Sequence, residues 1–140
     1  MLREVHEHVV GELQQNARTD TVFVVTAVLF NLVILGINWG VASVSNGGVH
    51  PPQNDWILGV LIFATLLINS FAGRVLLTGR DTRRKLLSGL VTMYKDNAVD
   101  KYYDASLLDV YGTRYKLFFA VIVSLASISI VVPLLVRLLG

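Results

Sequence analysis

Three uninterrupted apolar runs dominate the chain, at residues 21–43, 56–78 and 117–139, and Arg74 and Arg137 are their only charged members. At about 1.5 Å of rise per residue, each run makes a helix of roughly 35 Å, enough to cross a hydrocarbon core of about 30 Å. Backbone N–H and C=O groups in lipid are satisfied only within a helix or a closed barrel, and no alternation of polar and apolar residues suggests barrel strands. The pattern predicts an all-α membrane protein with three transmembrane helices, an amino-terminal amphipathic helix and a helical cytoplasmic linker between spans 2 and 3. The expected organisation is an amphipathic helix over 1–20, a first span over 21–45, an external loop over 46–55 and a second span over 56–78. A basic, Tyr-rich linker over 79–116 then leads to a third span over 117–140. Small residues at Ala42-Ser43-Val44-Ser45 offer a signal-peptidase site, but the first run is too long and its flank is not basic, so it is read as a retained span.

Outside the runs the apolar spacing is helical. Leu2, Val5, Val9 and Leu13 recur on one face of an acidic segment, which is expected to pack on the basic linker rather than on anionic lipid. In the linker, Gly79 reads as a helix stop and Asp81 or Thr82 as the cap of a new interfacial helix. Leu86, Leu87, Leu90, Val91 and Tyr94 form its apolar face, and Arg83, Arg84 and Lys85 reach anionic headgroups. Asp104 is placed to cap a further short helix, which Gly112 separates from the third span or kinks. Asp96, Asp100 and Asp104 stand four residues apart and would form a carboxylate ladder on a continuous helix. Interleaved Lys95 and Lys101 favour a solvated face over an ion site.

Charge gives the expected orientation. The connection between Val44 and Asp55 has no Lys or Arg, whereas the stretch from Arg74 to Lys116 holds nine, so the positive-inside rule places the linker and the amino terminus in the cytoplasm and the carboxy terminus outside. Trp39 and Trp56 mark one interface, and all five Tyr lie at the other. The composition fits this picture, with 54% hydrophobic residues, 16% charged residues and a mean hydropathy of +0.60.

The few polar side chains at depth are the candidate functional positions, because an amide in lipid needs a partner. Ala27, Asn31, Ile34, Asn38 and Ala42 share one stripe of the first span. Ile62, Thr65, Asn69, Ala72, Gly73 and Leu76 share one of the second, and Ala120, Ser124, Ser127 and Val131 one of the third. Asn31, Asn38, Asn69, Ser124 and Ser127 are therefore expected to form a midplane polar layer that fixes helix register, or to line a pore between copies. Gly36, Gly40 and Ser43 lie on the opposite side of the first span as a helix-packing interface. Arg74 and Arg137 read as residues that snorkel to headgroups. Pro133 frees the carbonyl of residue 129.

Candidate chemistry is sparse. The chain has no Cys, its spans hold no His or carboxylate, and no nucleotide, metalloprotease or hydrolase signature occurs, so catalytic, cofactor and metal sites are expected to be absent. His6 and His8 flank Glu7, but residues two apart point to different helix faces. An inner-surface helix followed by three spans resembles the small bacterial diacylglycerol kinases in topology. Those enzymes use carboxylates at the membrane boundary; here the second span ends in Gly-Arg, and none of their sites is carried over. Acids nearly offset the basic residues beyond 80–85, so phosphate headgroups are a nearer partner than nucleic acid. The expected function is a non-catalytic assembly or accessory subunit that joins a membrane complex or itself. The alternative is a homo-oligomeric ion channel whose first span lines the pore.

Overall fold

The computed structural model describes residues 1–44, 51–102 and 106–139, with side chains in the last stretch from residue 110. Its elements are α1 (Leu2–Ser43), α2 (Pro52–Asp96), a short 3-10 turn (Asp100–Tyr102) and α3 (Ser106–Leu139). All three helices contain a window long and apolar enough to cross a membrane, and the described residues contain no strand. The protein is a multi-pass, all-α membrane protein.

α1 has 42 residues and α2 has 45, so each extends about 65 Å, twice the thickness of a hydrocarbon core. They form an antiparallel pair in constant register: His6 faces Tyr94 and Asn31 faces Asn69, the same number of residues further along each helix. α3 runs parallel to α1, with Tyr115 beside Asp20 and Ser129 beside Asn31 and Asn38. Arg137 near the end of α3 pairs with Asp55 in the first turn of α2 and is nearly buried, so it is held by a carboxylate rather than snorkelling alone. Arg74 is exposed. Outward faces carry Val22, Leu29, Val33, Phe63, Phe71 and Val123, which suits lipid contact.

The boundaries differ from those expected at three places. The amino-terminal amphipathic segment is continuous with the first span. Its half-buried Val9, Val10 and Leu13 run along the extension of α2, where Leu87 and Leu90 are buried, and this packing carries the helix through the polar stretch 14–20. Gly79 does not stop α2, so the linker begins as the outer half of the same helix and neither Asp81 nor Thr82 caps a new one. Gly112 lies inside α3, with no separation before the third span.

α2 ends instead at Asp96. The Ala98 and Val99 N–H groups bond back to the Lys95 and Tyr94 carbonyls in a Schellman arrangement, with Ala98 in the left-handed region at φ 55°. Asp96 therefore closes a helix and Asp100 begins a separate turn, so these two do not share a continuous helix face. Asp104, the proposed cap, and residues 46–50 of the expected external loop lie outside the described residues, while 52–55 of that loop form the first turn of α2.

Candidate functional site

The polar side chains at depth form two linked groups in the bundle core. Asn31 and Asn69 exchange a reciprocal pair of amide hydrogen bonds at 2.8 and 2.9 Å, and each also donates to the carbonyl one turn back, Ala27 and Thr65 respectively. Thr65 is fully buried beside them and donates to Leu61. The remaining donors of both amides are thus occupied within one protomer.

Asn38 answers a different need. Pro133 has no N–H, so the Ser129 carbonyl one turn earlier loses its helical partner. Asn38 donates its amide to that carbonyl at 3.1 Å, and Ser129 in turn donates its hydroxyl to the Asn31 carbonyl at 2.9 Å. Asn31, Asn38 and Ser129 are at most 1% exposed. This polar layer ties all three helices together at matched depth.

The third span joins that layer through residues other than those its pattern suggested. Ser124 and Ser127 are exposed, and Ser127 donates to Val123 on its own helix; Ala120 and Val131 are exposed as well. Tyr115, Ile122, Ser129 and Pro133 form the buried side. A serine satisfies its hydroxyl on the carbonyl four residues back, so exposure to lipid costs it little and its position does not mark the core.

A second polar cluster sits where the apolar windows end. Asp20 is 4% exposed and accepts a hydrogen bond from the Tyr115 hydroxyl. Asn16 donates to the Gly79 carbonyl at 3.1 Å and lies within 3.4 to 3.5 Å of Asp20 and Tyr115. Gly79 makes this possible: a Cβ there would overlap the Asp20 carboxylate, so only glycine lets α1 and α2 meet around the acid. Burial raises the Asp20 carboxyl above its ordinary range, against the opposing pulls of the Tyr115 hydrogen bond and the Arg83 charge. Burial and the adjoining Asp20 push the Tyr115 hydroxyl up to about 12. The folded state therefore keeps a proton that the unfolded chain releases near pH 10, and stability should fall as pH rises from about 10 to 12. Thermal melts in detergent should show this alkaline loss in the native chain and a smaller one in Tyr115→Phe.

Asp20 and Tyr115 were not singled out by sequence. Asp20 stands at the edge of an apolar run, where an acid ordinarily marks the water boundary. Its burial depends on Gly79 and Tyr115, both remote along the chain.

The expected headgroup residues divide. Arg83 turns inward, its guanidinium 4.0 Å from the Tyr111 ring centre and its Nε buried without a hydrogen-bond partner among the described residues, whereas Arg84 and Lys85 are exposed. Attraction to the nearby Asp20 carboxylate and to the Tyr111 ring face explains the inward turn, against the cost of desolvating the guanidinium. Gly36, Gly40 and Ser43 are exposed on the side of α1 away from the buried Asn31 and Asn38. Open space lies beside both glycines, and Ser43 donates to Trp39 on its own helix. No group of three metal-ligating side chains occurs among the described residues. The chain matches no known family model, and neither the curated proteins nor the solved structures contain one detectably similar to it.

Proposed function

We propose that the chain is a non-catalytic subunit of a membrane assembly, joined to a neighbouring transmembrane helix of a second copy or of another subunit through the outer face of α1. The supporting observation is the pair Gly36 and Gly40. Both are exposed with nothing beside their missing side chains, one turn apart, while the opposite face of the same helix is fully engaged inside the protomer. In lipid, apolar area alone gives helices no reason to associate. A strip of small residues allows close backbone approach and adds van der Waals contact. Asn31 and Asn38 complete the protomer's own core, so presenting them to a path between copies requires repacking of the bundle. The charge asymmetry of the sequence supports a cytoplasmic amino terminus and an external carboxy terminus.

Native electrophoresis of mild-detergent membrane extracts tests the reading. Gly36→Leu combined with Gly40→Leu should shift the chain from its native assembly to the lone protomer, with its helical content unchanged. An assembly of unchanged mass overturns the proposal. A ring of four or more copies whose ion conductance changes in Asn31→Leu overturns it in favour of conduction.

A further inference from the structure

The outer half of α2 and residues 111–116 of α3 line a half-open chamber of about 780 Å³ that carries Arg80, Arg83, Arg84, Lys95 and Lys116, with no carboxylate among the described lining residues. Ser88, Thr92 and Tyr111 add hydroxyls to the same wall. Two of these charges are partly answered from nearby: Asp81 lies 3.6 Å from Arg80, and Asp20 sits behind Tyr115 near Arg83. Arg84, Lys95 and Lys116 make no salt bridge among the described residues, and the buried Nε of Arg83 is an unused donor there. The chamber therefore has the charge and the donors for an anion rich in oxygen acceptors, such as a phosphate ester.

Two smaller spaces adjoin the chamber along α2 and α3. A space of about 230 Å³ shares Arg80, Tyr115 and Lys116 with it and continues past Leu76 and Phe119. A further space of about 230 Å³ shares Leu76 and Phe119 and runs between α2 and α3 along Gly73, Ile122 and Leu66. From Arg80 to Leu66 the path follows about 20 Å of helix rise, more than the roughly 15 Å depth of one leaflet. Its walls change from basic to apolar in the order in which a phospholipid changes from head to chain. A free phosphate would fill a small part of the chamber and leave the crevice unexplained.

We propose that the basic chamber and the crevice joined to it form one site for an anionic phospholipid, with its phosphate among Arg84, Lys95 and Lys116 and one acyl chain between α2 and α3.

Titration of delipidated protein in detergent by native mass spectrometry, with melting temperature recorded in parallel, tests the site. Phosphatidylglycerol should bind at least tenfold more tightly than phosphatidylcholine, and a hundredfold excess of glycerol 3-phosphate or inorganic phosphate should not displace it. Arg84→Gln combined with Lys116→Gln should weaken phosphatidylglycerol at least tenfold at unchanged melting temperature. Lys85→Gln, a charge lost outside the chamber, should change it less than twofold. Equal affinity for the two lipids overturns the proposal, as does a Lys85→Gln loss matching that of the chamber variant. Displacement by the soluble phosphates replaces the lipid with a free anion and also overturns it.

Discussion

Gly79→Ala should destabilise the protein by about 1 to 2 kcal/mol, and Gly79→Val by about 3 kcal/mol, in equilibrium unfolding in mixed detergent. Helix propensity alone argues the opposite sign, since alanine in a helix interior is better than glycine by about 1 kcal/mol. The steric term wins because the atoms in the way belong to Asp20, a short buried side chain held by Tyr115 and close to the Asn16 amide. It cannot swing aside without abandoning those partners in a desolvated place. Two controls isolate the cause. Gly89 lies in the same helix with open space beside it, so Gly89→Ala should be neutral or stabilising by up to about 1 kcal/mol. With Asp20→Ala already in place, Gly79→Ala should also become neutral or stabilising. A Gly79→Ala protein as stable as the native one would mean that the acid is not seated against α2 as described.

The inner stripes of the first two spans were legible because amides cannot satisfy themselves. Asn31, Asn38 and Asn69 each have more donors and acceptors than a neighbouring turn can serve, so in an apolar helix they point toward other helices, and their spacing gives the buried face. Ala27, Ile34 and Ala42 on α1, and Thr65, Ala72 and Leu76 on α2, share those buried faces. The third span carries no amide, and a serine can satisfy its hydroxyl on its own helix, so the stripe through Ser124 and Ser127 does not mark the buried face. The informative residue of that span was Pro133, whose cost is a carbonyl that some other helix must serve. The lengths of the helices were hidden for another reason. Gly79 and Gly112 look like punctuation when read locally, yet a glycine inside a packed helix stays helical when a neighbour fills the space beside it or the flanking turns continue. The boundary cluster needed three remote segments together, and no single segment announces it.

Asn38→Leu should cost about 2 kcal/mol, and most of that cost should disappear when Pro133 is also replaced by alanine. In the native chain the Ser129 carbonyl has lost its helical donor to Pro133 and takes one from Asn38 instead, at a depth where water is absent. Removing the amide leaves that carbonyl buried and unpaired, whereas restoring an N–H at position 133 gives it back an intrahelical bond. The Asn38 side-chain amide oxygen, Oδ1, is itself buried without a hydrogen-bond partner among the described residues, so once the backbone donor returns, leucine at 38 removes a burdened group rather than a useful one. The coupling between the two sites should therefore exceed about 1 kcal/mol, the larger end of what side-chain hydrogen bonds contribute in membranes. Strictly additive effects would place the Ser129 carbonyl in some other hydrogen bond and remove Asn38 as the residue that makes the proline tolerable. A larger cost in the double variant than in Asn38→Leu alone would instead give Pro133 a packing role of its own against α1.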